Sequence, residues 1–189
     1  MKKNLAIFAS GSGTNAENIV KHFKGNSDVG VKLILSNKKD AGVLERAKKL
    51  GIPSHVFSRP DFYENNNVLD VLKAHNVDWV VLAGFLWLIP GNLIKAFPDK
   101  IINIHPALLP KFGGKGMYGD RVHQAVIQAG EKDSGITIHL VNEKYDEGKI
   151  LFQASCDIEK DETPQSLAAK IHQLEYTYFP QVIHDQMVQ

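Results

Sequence analysis

Apolar positions along this chain follow two rhythms. Runs at 5–9 and 79–83 are uninterrupted, as in strands buried on both faces of a parallel sheet, and 31–35, 52–57 and a short run opening at Ile101 also read as strands. Between them, apolar residues recur at helical spacing over 40–50 (closed by Gly51) and over 60–75, where Phe62, Val68, Leu69 and Leu72 face inward. A glycine turn at 10–13 leads into a predicted helix reaching about Lys24, with Thr14 or Asn15 as its cap. Further helices are predicted at about 91–97 and at 120–129, the latter capped by Asp120 and stopped by Gly130. Residues 135–141 alternate as a strand and 149–156 return across an acidic turn, predicting an antiparallel hairpin. Thr163 and Pro164 make a favourable N-cap and N1 pair for a last helix running to about Phe179, with Pro180 opening a short final segment. The order predicts an α/β fold: a Rossmann-like, mostly parallel sheet flanked by helices, with an antiparallel hairpin near the C-terminus.

At 189 residues the chain suits one domain, 1–189, with no repeat, linker or low-complexity tract. Lys+Arg 22 against Asp+Glu 21 gives a net charge of +1, which argues against a nucleic-acid binder working through bulk charge. One cysteine, Cys156, excludes an internal disulfide and a thiolate-rich metal site, and the eight histidines show no metal-binding spacing. No apolar stretch approaches a membrane span, and Lys2 and Lys3 precede too short an apolar run for a signal peptide. A cytoplasmic enzyme, with no nucleic-acid, membrane or metal partner, is the expectation.

Three stretches carry candidate chemistry. The strand that begins at Ile101 ends in Asn103-Ile104-His105-Pro106; residues i and i+2 of a strand share a face, so an amide donor and a titratable ring can converge on one volume. A strand-end histidine with one structural hydrogen bond remains the competing reading. Ser10-Gly11-Ser12-Gly13-Thr14-Asn15, between a strand and a helix, suits an anion, because free N–H groups and the helix dipole both favour negative charge. Gly11, Gly13 and Ala16 also satisfy a dinucleotide pattern, and Lys38 and Lys39 after the second strand would fit a 2′-phosphate, so an NADP enzyme and a sugar monophosphate both stand at this point. Gly84 to Ile89 (GFLWLI) places large apolar residues where an exposed loop is expected; it either buries under the next helix or forms a slot for a flat ring. The loop 111–119 has four glycines and the flexibility of a lid, and His123 follows it. Asp146, in the acidic turn, would raise the pKa of His105 if the two met.

Taken together, GSGTN, SNKKDAGVLERAKKLGI, VVLAGFLWLI, NIHPALLPKF and YDEGKI, in this order and spacing over nearly the whole chain, resemble the phosphoribosylglycinamide formyltransferase family. The resemblance implies the formyltransferase fold, and transfer of the formyl group of 10-formyltetrahydrofolate, as co-substrate, to the amino group of 5-phosphoribosylglycinamide in purine biosynthesis. It implies that Asn103, His105 and Asp146 form the catalytic trio and that Gly11, Ser12, Gly13, Thr14 and Asn15 hold the substrate phosphate. Glu175 and His172 would grip the glycinamide. Leu86, Trp87, Leu88 and Ile89 would form the pterin slot, Asn142, Glu143, Lys144 and Tyr145 would wrap it, and Arg59 would meet the folate's glutamate tail. The amino-terminal half would thus bind phosphate and the carboxyl-terminal half folate, in a monomer or weak homodimer. The loop 113–119 is longer and richer in glycine than the family pattern.

Formyltetrahydrofolate hydrolases share the NIHP block but usually carry an extra amino-terminal domain, and methionyl-tRNA formyltransferases add a basic carboxyl-terminal one. Here the first strand begins by residue 5 and the chain ends soon after the last helix, so neither is the expectation. An NADP oxidoreductase leaves NIHP and GFLWLI unexplained, and a non-catalytic binder leaves every catalytic position filled without purpose.

Overall fold

Strand β1 (Lys3–Phe8) is buried from Leu5 onward, and its alternating side chains feed two separate cores. Leu5, Ile7 and Ala9 join the cluster on one face of the sheet, Ala6 and Phe8 the cluster on the other. The computed structural model describes residues 2–189. After β1 come α1 (Thr14–His22), β2 (Val29–Ser36), α2 (Gly42–Leu50), β3 (Ser54–Val56), α3 (Arg59–Tyr63), α4 (Asn67–Ala74), β4 (Trp79–Leu82), α5 (Gly91–Ala96) and β5 (Ile101–His105). The chain closes with α6 (Asp120–Gln128), β6 (Asp133–Leu140), β7 (Ile150–Asp157) and α7 (Pro164–Val188). The strands form one seven-stranded sheet in the order β3-β2-β1-β4-β5-β6-β7. Pairing is parallel from β3 to β5 and antiparallel from β5 to β7, so β5 is the seam between the two parts. The predicted α/β architecture and the hairpin are both present.

Four local expectations are corrected. The helix predicted over 60–75 is two helices, because the Asn65-Asn66-Asn67 run turns the chain: Asn65 Oδ1 accepts from Asn67 N at 2.9 Å, and Asn67 Nδ2 donates back to Asp61 Oδ1 at 2.7 Å. Neither Thr14 nor Asn15 caps α1. Its N-cap is Gly13 in the left-handed region (φ 76), where a Cβ would collide with Val43. Asp120 is the first residue of α6 rather than its cap, which is Gly119. Finally, α7 does not stop at Phe179; Pro180 lies inside it.

Proline removes the N–H that would bond Tyr176 O and normally breaks a helix. Here Asn18 Nδ2, from α1, donates to Tyr176 O at 2.9 Å and replaces that bond. The buried stripe of α7 (Leu167, Ile171, Phe179, Ile183 and Met187) therefore continues through the proline and packs on the sheet. Thr163 does cap α7, in a reciprocal capping box with Ser166. Among the described residues no helix is long and apolar enough to cross a membrane.

Candidate active site

The carboxyl ends of β1, β4 and β5 lie side by side, and between β1 and β4 the strand order reverses. Open α/β sheets bind ligands at such a point. A cavity of about 670 Å³ opens there, lined by the segments that follow these three strands, by the loop 114–119 and by residues of α6 and α7.

The segment after β1 supplies the anion end. Ser10 through Asn15 all line the cavity, and no side chain caps the first turn of α1. An uncapped helix start behind a left-handed glycine presents main-chain N–H groups to an anion. Ser10 fastens the neighbourhood: its hydroxyl donates to Asn37 Oδ1 at 2.8 Å and accepts from Leu86 N at 3.1 Å, joining the ends of β1, β2 and β4. Below the loop, Glu175 is the one charged residue in the buried stripe of α7. Its Oε2 accepts from Asn15 Nδ2 at 2.8 Å and faces His172 Nδ1 at 3.0 Å. That hydrogen bond pushes the His172 pKa above its ordinary value. His123 lines the same wall almost fully buried, and burial, reinforced by His172, pushes its pKa down.

The segment after β4 supplies the apolar end, and its two readings divide it between them. Phe85 and Ile89 are core residues; the Phe85 ring lies 5.4 Å from Phe8 and 5.5 Å from Phe62, both edge-on. Leu86, Trp87 and Leu88 are half-buried and line the cavity, and the buried Phe85 and Ile89 reach it as well. The core aromatics hold the wall that the other three present.

The segment ending β5 brings the polar groups together. Asn103 and His105 line the cavity from the same strand, and Asp146 reaches them from the turn between β6 and β7. His105 Nδ1 is 3.5 Å from Asp146 Oδ2, and Asn103 Nδ2 is 3.5 Å from Asp146 Oδ1. The other ring nitrogen, His105 Nε2, lies 2.7 Å from the carbonyl of Phe112, which can only accept, so Nε2 carries a proton. Gly114 N donates to Asp146 Oδ2 at 2.9 Å. Phe112 (φ 56) and Asp146 (φ 55) are both left-handed without being glycine, a conformation costing of order 1–3 kcal/mol that surrounding contacts must hold.

Burial sets the charge state of His105. Asp146 and the Phe112 carbonyl both favour the imidazolium, yet desolvation outweighs them and the pKa falls below its ordinary value. Asp146 does act upward on this histidine, as expected, but burial prevails. For Asp146 burial acts upward, but the His139 ring, His105 and the Gly114 N–H prevail and hold the carboxyl below the ordinary range.

His139 is the residue that sequence reasoning missed. It pairs with Asn103 in the antiparallel ladder of β5 and β6. Its Nδ1 donates to Leu140 O at 2.9 Å, leaving Nε2 of the neutral ring to accept from Asn103 Nδ2 at 3.0 Å. The same Nε2 lies 3.6 Å from Asp146 Oδ1. Only the alternation of 135–141 hinted at it; the pairing register carries the rest.

Of the other predicted site residues, Lys144 and Tyr145 line the cavity. Asn142 instead shapes the turn, accepting from Lys144 N and donating to Glu147 O, and Glu143 is exposed beside it. Arg59 stands outside the cavity lining, its guanidinium 4.9 Å from the Tyr63 ring and 5.6 Å from the Trp87 ring.

Fold and site together give an open α/β sheet whose cavity sets an anion loop and an apolar slot on either side of an amide, an imidazole and a carboxylate. A sequence model of the family described as formyl transferase matches residues 3–183, and the chain belongs to that family. It is 45% identical over 188 residues to a chloroplastic phosphoribosylglycinamide formyltransferase of Arabidopsis thaliana, a match covering 96% of this chain and 64% of the relative. Against the phosphoribosylglycinamide formyltransferase of Bacillus subtilis it is 41% identical, covering 96% of this chain and 93% of the relative. The chain thus spans somewhat under two thirds of the plant relatives it matches, 64% in one and 60% in the other. A solved glycinamide ribonucleotide transformylase 1 from Geobacillus kaustophilus superposes with a TM-score of 0.89 at 36% identity, covering 99% of this chain and all (100%) of the other.

Proposed function

We propose that this chain transfers the formyl group of 10-formyltetrahydrofolate to the amino group of 5-phosphoribosylglycinamide, a step of purine biosynthesis. The observation that carries the reading is the meeting of Asn103, His105 and Asp146 between an anion loop and an apolar slot, which gives a phosphate-bearing amine and a flat folate ring neighbouring places. Residues 11–15 would take the phosphate, Glu175 and His172 the glycinamide, and Leu86, Trp87, Leu88 and Ile89 the pterin, with Lys144 and Tyr145 closing over it. Asn142, Glu143 and Arg59 would act from the rim, Arg59 toward the glutamate tail.

The chemistry follows from the polar contacts. The substrate amine attacks the formyl carbon, and the carbonyl oxygen becomes an oxyanion. Asn103 Nδ2 keeps its bond to His139 and exchanges the long contact to Asp146 for one to the oxyanion. Asp146, ionised, takes the proton the amine loses. With Nε2 keeping its own proton on Phe112 O, the unprotonated Nδ1 of His105 receives from Asp146 the proton lost by the amine and delivers it to the departing folate nitrogen as the carbon–nitrogen bond breaks. The products are the N-formyl amide and tetrahydrofolate. Under the same reading 1–189 is one catalytic domain acting in the cytoplasm as a monomer or weak homodimer, which sedimentation velocity would resolve.

The deciding experiment offers the purified protein 5-phosphoribosylglycinamide with 10-formyltetrahydrofolate and follows tetrahydrofolate release. Release that depends on the amine is expected; release into water alone, or oxidation of NADPH instead, would defeat the assignment.

A further inference from the structure

The loop after Pro110 is open at its tip and tightly engaged at its base. Main-chain atoms of two nearby residues reach the two titratable groups of the site: Phe112 O accepts from His105 Nε2, and Gly114 N donates to Asp146 Oδ2. Between them, Gly113 could carry a side chain only if Leu109 and Asp146 gave way. A Cβ there would meet Leu109 Cδ2 at 2.5 Å and Asp146 Cβ at 3.3 Å, whereas at Gly114 or Gly116 it would meet nothing within 4 Å. Phe112 and Asp146, two of the four non-glycine residues with left-handed backbone, lie on the two chain segments that this contact joins.

We propose that Phe112-Gly113-Gly114 is a main-chain clamp that positions the catalytic pair. The Phe112 carbonyl fixes one proton on His105 Nε2, so that Nδ1 is the nitrogen left to exchange a proton beside Asp146. The Gly114 N–H holds Asp146 Oδ2 against that nitrogen. Both gripping atoms belong to the backbone, so the loop's side chains are free to vary while position 113 must stay bare. The clamp rests on the formyl-transfer reading only in calling His105 and Asp146 catalytic.

The test joins spectroscopy to kinetics. Long-range proton–nitrogen NMR of histidine-labelled protein at about pH 8, where an imidazole is neutral, reports the tautomer; the His105 signals are assigned by their loss in His105→Gln. The wild type is expected to show the Nε2–H form. Gly113→Ala is expected to lower kcat roughly 10- to 100-fold, as a misplacement near 1 Å does, with KM for both substrates within about twofold. Combining it with Leu109→Val, which removes the clashing methyl but leaves Asp146 crowded, is expected to keep that loss. An Nδ1–H tautomer in the wild type, an unchanged kcat in Gly113→Ala, or full recovery in the double variant would each overturn the clamp. Wild-type protein without formyl transfer would defeat the functional reading instead, and the wild-type spectrum would still decide the clamp whether or not the variants fold.

Discussion

Asp146 meets four polar neighbours with two oxygens (the Gly114 N–H, His105 Nδ1, Asn103 Nδ2 and, at 3.6 Å, His139 Nε2), and they would respond differently to its loss. Gly114 N–H needs an acceptor, which an amide oxygen also supplies; His105 Nδ1 and Asn103 Nδ2 need the charge and the lone pairs. Asp146→Asn is therefore expected to leave the melting temperature within a few degrees of wild type. It should cut formyl transfer by about 10²- to 10⁴-fold, the range of a positioned acid/base; turnover near wild type would remove Asp146 from the mechanism. At this scale the sequence was informative wherever chemistry is local. Asn103 and His105 share a strand face by simple alternation, and Asp146 was singled out through family resemblance. His139 escaped because its meaning lies in a register 36 residues away, and Phe112 because it acts through a carbonyl that any residue owns.

Helix α7 shows how an element can override its own local signals. Pro180 read as a terminator, yet the apolar positions at i+4 intervals continue through it to Met187, and that long stripe was the better guide. What sequence could not reveal is that α1 would lend a donor to Tyr176 O. Asn18→Ala leaves that carbonyl unpaired and is expected to cost about 1–3 kcal/mol, or roughly 2–4 °C in melting temperature per kcal/mol for a chain of this size. Adding Pro180→Ala restores a backbone N–H for the same carbonyl, so the double variant should recover much of the loss. Additive losses in a thermal-melt cycle would show that the proline and the asparagine are unrelated. The split between α3 and α4 has the same origin in reverse: helical spacing was present, but asparagine side chains bonded to nearby backbone and turned the chain.

Across the molecule, the buried histidines tie folding to acidity. His105 and His123 are held neutral below their ordinary pKa, so the unfolded chain gains protons first as pH drops. Their contribution is complete above about pH 6.5 and is lost as pH falls toward the folded values. His172, raised by Glu175, acts in the opposite sense, its contribution being present at low pH and lost as pH rises through its folded value. Two buried rings against one half-exposed ring predict a melting temperature that falls from about pH 7.5 to about pH 5.5, with a shallower fall in His123→Gln. A flat profile would mean that these rings are protonated where they lie. The topology was legible because apolar runs, glycine stops and helical spacing agree from one end of the chain to the other. The placing of β5 at the seam was not, since nothing in the sequence says which strand the hairpin pairs with. That seam has a practical corollary. A backbone cut at Gly130, exposed and left-handed at the end of α6, would put Asn103 and His105 on one polypeptide and His139 and Asp146 on the other. Activity recovered on mixing the halves would then report reassembly of a split enzyme.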